Sequence, residues 1–159
     1  MERCAVPDYR RDPLPAVGTG GWARCHGVGN FHRATVYIKH NEMPSFLRPV
    51  WAKVWANTVA SYREIGLDFV ETQDANTHNT SLSFVGSSSG WIGLAIVGRG
   101  QSCGSKIWAR FLSTYRGGSS EAAITQQWTS LIKHELGHNC GLDHSRGGVM
   151  NASIVNGLP

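Results

Sequence analysis

The segment His134-Glu135-Leu136-Gly137-His138-Asn139-Cys140-Gly141-Leu142-Asp143-His144 constrains this chain more than any other stretch. Upstream of it, Ile124, Trp128, Leu131, Ile132 and Leu136 recur at helical spacing and predict a helix from about Glu121 to Cys140 with one apolar stripe. Ser120 ends the loop Gly117-Gly118-Ser119-Ser120 and is its expected N-cap. Histidines at i and i+4 share a helix face one turn apart, so both rings can reach a single ion. Glu135 is rotated from them by about a third of a turn, near such an ion without binding it. Gly141 can adopt the left-handed conformation that ends a helix, and the turn there brings His144 back as a third ligand.

A His-Glu-x-x-His match alone arises by chance on surface helices; here five positions agree on a helix that carries its own apolar stripe. Three imidazoles leave the fourth tetrahedral position open, the arrangement of a catalytic rather than a structural zinc ion. One Zn2+ is therefore the expected cofactor. Zinc lowers the pKa of bound water from about 15.7 towards 7. Glu135 would take that proton and pass it to the departing amine, while the metal polarises the attacked carbonyl.

The rest of the chain predicts an α/β (α+β) fold. Ala34 to Lys39 has the β-branched and aromatic content of a strand, and further strands are expected at Leu67 to Glu71, Ser81 to Val85, Trp91 to Val97 and Ile107 to Leu112. Between the first two, Leu47, Val50, Trp51, Val54, Trp55, Thr58, Val59 and Tyr62 follow the helical rule, so a long amphipathic helix is expected from Ser45 to Ile65, with Pro44 and Gly66 as start and stop signals. This order implies a twisted, mixed five-stranded sheet packed with two long helices. With 159 residues and 41% apolar content, one sizeable core is expected. Residues 1–21 are rich in Pro, Gly and charge and read as an extended arm, leaving 22–159 as the folded domain.

Charge excludes some partners. Lysine and arginine outnumber aspartate and glutamate by 15 to 11, but Arg10-Arg11 is the sole adjacent basic pair, so no nucleic-acid footprint is expected. No apolar run approaches the roughly 20 residues that span a bilayer, and Met1-Glu2-Arg3-Cys4 does not open a signal peptide. A monomer acting on a protein or peptide is expected, with no membrane contact. Four cysteines, Cys4, Cys25, Cys103 and Cys140, are too few for a disulfide scaffold; Cys140 is expected to pack as a small hydrophobe. His26, His32, His40 and His78 read as surface residues.

The eleven-residue segment resembles the long zinc signature of metzincin peptidases, and Ser145-Arg146-Gly147-Gly148-Val149-Met150 resembles their methionine turn. Serine after the third histidine is similar to the matrixin branch (the matrix metalloproteinase-like enzymes), and Asn151-Ala152 leaves no tyrosine where astacins and serralysins place an extra ligand. The resemblance implies a secreted, extracellular zinc endopeptidase with Met150 as a hydrophobic floor beneath the metal. It implies that Trp91, Gly93, Leu94 and Ala95 belong to the edge strand that pairs with an extended substrate, and that Ser130, Leu131, Val149 and Ala152 wall the pocket beside the zinc.

Arg3-Cys4-Ala5-Val6-Pro7-Asp8 is similar to the cysteine switch of matrixin propeptides. By that resemblance Cys4 is the fourth zinc ligand of a latent form, held by the pair Arg3 and Asp8; alternatively Cys4 forms a disulfide or stays a thiol on a loose arm. Ala5 departs from the family's glycine. The interval Gly86 to Gly90 carries none of the ligands that matrixins use there for structural zinc and calcium, and only nine residues follow Met150, so the subdomain after the methionine turn is very short. A zinc-binding module without turnover and a hydrolase of a non-protein amide, such as a cell-wall peptide, are the alternative readings.

Overall fold

The computed structural model describes residues 33–64, 67–98 and 106–141. Strand β1 (Arg33–Ile38) leads through a short 3-10 turn at His40–Glu42 into helix α1 (Arg48–Arg63). Strands β2 (Asp68–Thr72), β3 (Thr80–Val85), β4 (Gly93–Ala95) and β5 (Ile107–Leu112) follow, and helix α2 (Glu121–Asn139) ends the described chain.

The five strands form one sheet in the order β2-β1-β3-β5-β4. β1 runs parallel to β2 and β3, β3 runs parallel to β5, and β4 alone is antiparallel, on the edge beside β5. The mixed five-stranded sheet with two long helices expected from sequence is thus the observed architecture. Alternation decides which face is covered. Ala34, Val36, Ile38, Phe69, Leu82, Phe84, Ile107, Ala109 and Phe111 are buried, and both helices pack on that face.

Aromatic rings carry much of this contact. Trp128 of α2 is fully buried, with ring centroids of Phe111 at 5.8 Å, Phe84 at 6.0 Å and Tyr115 at 6.1 Å, and its indole N–H donates to the Tyr115 carbonyl at 3.1 Å. Trp51 and Tyr62 of α1 meet Phe84 and Phe69 edge-on. Every residue of the expected α2 stripe is buried, and so are Leu47, Val50, Trp51, Val54, Thr58 and Tyr62 of the expected α1 stripe; Trp55 and Val59 are partly buried against the same core.

Strands β1, β2 and β3 differ from expectation by one residue at one or both ends, and two elements differ by more. Helix α1 begins at Arg48 rather than Ser45, with Pro49 in its first turn, because Pro44 instead sits in a turn closed by Leu47 N–H on the Pro44 carbonyl at 3.1 Å. Strand β4 is three residues long rather than seven, and Trp91 lies outside it. The Ser88 hydroxyl donates to the Trp91 carbonyl at 2.5 Å and closes a turn there, while Gly98 N–H donates to the His138 carbonyl at 2.7 Å and draws the chain off towards α2. Bonds from Leu112 N–H to the Ile92 carbonyl and from Ile96 N–H to the Trp108 carbonyl still flank the strand, at 2.9 and 3.1 Å. The stop at Ile65-Gly66, the arm and the segment after Gly141 lie outside the described residues.

Trp128→Ala removes the ring shared by β3, β5 and α2, and is expected to lower the unfolding free energy by about 3–5 kcal/mol in urea denaturation followed by circular dichroism.

Candidate metal centre

Helix α2 starts as its sequence dictates. Ser120 has extended backbone and its Oγ accepts from Ala123 N–H at 3.1 Å, while Glu121 places negative charge in the first turn. The stripe then presses the helix onto the sheet along its whole length, so its last two turns are carried into the protein with their polar side chains. His134, Glu135 and His138 are all buried. Beyond Asn139 the helix ends as predicted: Gly141 has φ of 103°, and its N–H donates to the His138 carbonyl at 2.8 Å. A side chain at this φ would be strained.

His134 Nε2 and His138 Nε2 face each other at 3.2 Å, with the rings at 86°. Two Zn–N bonds of about 2.0–2.1 Å at a tetrahedral angle separate their nitrogens by roughly 3.3 Å. The spacing therefore fits two ligands of one ion, both through Nε2. Among the described residues, these histidines and Glu135 are the group whose ligand atoms, all within 4.8 Å of one another, could hold a metal ion.

Glu135 stands beside them in an apolar setting. Its Oε1 is buried and has no hydrogen-bond partner among the described residues. On the Oε2 side lies the backbone of Gly93 in β4, and any Cβ there would overlap that oxygen and crowd Leu131. Burial pushes the Glu135 carboxyl up to about 8, which keeps it neutral below that pH in the metal-free chain. An orphaned carboxyl oxygen next to two convergent imidazole nitrogens is what a cation and its solvent would satisfy.

Neighbouring elements grip this turn on both sides. The Tyr62 hydroxyl of α1 donates to the Lys133 carbonyl at 2.6 Å, one residue before His134. One residue after His138, the fully buried Asn139 donates from Nδ2 to the carbonyls of Ile96 at 2.9 Å and Trp108 at 3.1 Å, and its Oδ1 accepts from Thr80 Oγ1 at 2.6 Å. Sequence reading passed over Asn139, although a signal existed. It falls three residues after Leu136 on the buried stripe, where a polar side chain must find partners. Gly98 was also passed over, and a Cβ there would collide with the Asn139 backbone carbonyl.

The structure brings His134, Glu135 and His138 together with Gly93 and Leu131. Leu94 projects from β4 and is 39% exposed. Ser130 lines the groove between α1 and α2 with Asn57 and Thr129, whereas Leu131 is the stripe residue beside Gly93. His40 is partly exposed and pairs with Glu71 at 2.6 Å, and His78 lies near the surface against Tyr37, so neither joins the cluster. Cys140 is buried as expected. Arg3, Cys4, Asp8, His144, Val149, Met150 and Ala152 lie outside the described residues. Among the described residues no helix is long and apolar enough to cross a membrane. No protein-family model matches the chain, and no curated protein matches it.

The buried carboxyl gives a pH signature with a definite sign. The unfolded chain ionises Glu135 from about 4.5, the folded metal-free chain only near 8, so this group's contribution to stability is lost as pH rises between those values and changes no further above them. In the presence of a chelator, Glu135→Gln is expected to melt close to the parent at pH 5 and clearly above it at pH 8. Thermal unfolding of both proteins across that range measures the difference, with the histidines common to both.

Proposed function

We propose that this chain is a zinc-dependent endopeptidase of the metzincin type, nearest the matrixin branch. The observation that carries the reading is the 3.2 Å approach of His134 Nε2 to His138 Nε2 beside the buried Glu135 carboxyl. His134 and His138 would hold the ion, with His144 from the segment after Gly141 as third ligand. Zinc, when bound, supplies Lewis acidity that makes water easier to deprotonate and a carbonyl carbon easier to attack.

The chain's own residues account for the remaining steps. Beside a divalent cation, Glu135 gives up its proton more readily, because a nearby positive charge favours the carboxylate. Its Oε1, which has no hydrogen-bond partner among the described residues, would then receive the proton of the attacking water. The apolar setting that raises the carboxyl's pKa also equips it to hand that proton on to the leaving amine. The turn from His134 to His138 is buried, which limits competing solvent at the reacting centre.

Substrate would lie along β4. Among the described residues that strand has β5 on one side and the sheet edge on the other, so its outer backbone groups would pair with an extended peptide regardless of side chains. Gly93 lets this backbone pass directly over Glu135, so a peptide paired with β4 would lie beside the base, and the buried Leu131 packs against Gly93 from the core side. Cys4 of the arm, steadied by Arg3 and Asp8, is proposed to occupy the fourth zinc position in a latent form, since thiolate is a strong zinc ligand. Met150 is proposed as the floor beneath the ion.

Zinc-loaded protein is expected to cleave an unstructured protein, and a chelator is expected to abolish the cleavage. Glu135→Ala should lower kcat/KM by about 10²–10⁴-fold while keeping one zinc per chain, whereas His134→Ala and His138→Ala should lose the metal. Undiminished cleavage by Glu135→Ala would overturn the peptidase reading. Bound zinc with no cleavage of proteins, peptides or cell-wall amides would instead make the chain a binding module. Removing residues 1–21 is expected to raise activity in the same assay; unchanged activity would remove the latency role of Cys4.

A further inference from the structure

We infer that Asn139 is a positioning residue that fastens the substrate-binding edge of the sheet to the metal-bearing turn of α2. The inference rests on the peptidase reading above for its functional meaning, but its geometry stands independently. Asn139 follows His138 directly, and its side chain is fully buried. Its two amide hydrogens serve two carbonyls: Ile96, immediately beyond β4, and Trp108 in β5. The Trp108 carbonyl also accepts from Ile96 N–H at 3.1 Å, so Asn139 enters the last rung of the β4–β5 ladder.

A second connection runs the other way. Gly98 N–H donates to the His138 carbonyl at 2.7 Å, and this approach is so close that no side chain fits at Gly98. The stretch from Ile96 to Gly98 is therefore laced to the two residues His138 and Asn139 by donors on both partners. The third bond, from Thr80 Oγ1 to Asn139 Oδ1, holds the amide in the orientation that presents both hydrogens to the carbonyls.

The consequence is specific to the edge strand. Helix α2 is held independently by Trp128, Leu131, Ile132 and Leu136, all buried, and by the Tyr62 hydroxyl on Lys133. Strand β4 has three residues, one neighbouring strand among the described residues and an exposed Leu94. Loss of the Asn139 donors thus loosens β4 far more than the helix. The imidazoles keep their mutual spacing while the backbone that aligns a peptide drifts from them. Small misplacement of a bound chain relative to the reacting groups costs rate steeply.

The test compares the full chain with Asn139→Asp, which keeps the acceptor for Thr80 but removes both donors, and with Gly98→Ala, which strains the other connection by crowding the Asn139 backbone carbonyl while keeping the Asn139 side chain. Zinc content is expected to match the parent, because neither substitution replaces an imidazole. Amide exchange at Ile96 and Gly98 is expected to accelerate by about tenfold or more in both variants, with β1 and α1 unchanged. For a long extended peptide, kcat/KM is expected to fall by about ten- to hundredfold, chiefly through kcat, while a dipeptide amide, which pairs with little of β4, is expected to lose far less. Thr80→Val should show the same pattern more weakly. Loss of exchange protection spread evenly over the sheet, or equal loss on long and short substrates, would overturn the inference and reduce Asn139 to a stability residue. If the parent cleaves nothing, the peptidase reading fails by itself, and the exchange pattern alone decides the role of Asn139.

Discussion

The apolar stripe of α2 is the constraint on which the rest of the molecule depends. Taking an ionisable or polar side chain out of water costs several kcal/mol before its partners are counted, and α2 buries two imidazoles and a carboxyl within five consecutive residues. Left alone, such a turn would fray into water. It is kept inside because Trp128, Leu131, Ile132 and Leu136 drive the same helix onto the sheet. Hydrophobic packing in the first four turns thereby offsets polar burial in the last one. The polar cluster can then be satisfied from within by an ion, a proton shared between ring nitrogens, or solvent.

Packing alone would not orient the cluster. The turn is gripped at Lys133 by the Tyr62 hydroxyl and at Asn139 by three side-chain hydrogen bonds, which bracket the histidines on either side. A functional group held by neighbours that are themselves locked keeps its geometry before any ligand arrives. The 3.2 Å spacing of the imidazole nitrogens fits this view, since nothing in the helix itself demands that i and i+4 side chains converge so closely.

Local patterns in the sequence were enough to read the elements, and long-range contacts explain what was missed. Strand β5 has the expected limits, and α2 ends within a residue of expectation, because alternation, a helical stripe, a serine cap and a terminal glycine are all local signals. His134, Glu135 and His138 were legible for the same reason: the helical period puts them in one turn, with the two histidines on one face. Strand β4 was overestimated because its ends are decided by Ser88 and by the His138 carbonyl, the latter 40 residues from Gly98 in the chain. Asn139 was missed because its partners lie 31, 43 and 59 residues away. Proline at 44 looked like a helix start, but the turn it makes comes first, and Pro49 occupies the helical position.

If β4 accepts a peptide as proposed, its shape answers two opposing demands. An edge strand that is to accept a peptide must leave its outer backbone groups unpaired, yet a long exposed edge invites pairing with other copies of the chain. Three residues are few enough to make a poor template for aggregation. They are also too few to stay in register on the strength of their own ladder. The missing stability has to come from outside the strand, and the nearest rigid body is the end of α2. Gly93 and Gly98 have no side chains, so the backbone can come close enough for that attachment: one passes over Glu135 and the other reaches the His138 carbonyl. Shortness, the two glycines and the Asn139 bonds are therefore one arrangement, in which the shortest of the described strands takes its position from the residues beside the candidate metal centre.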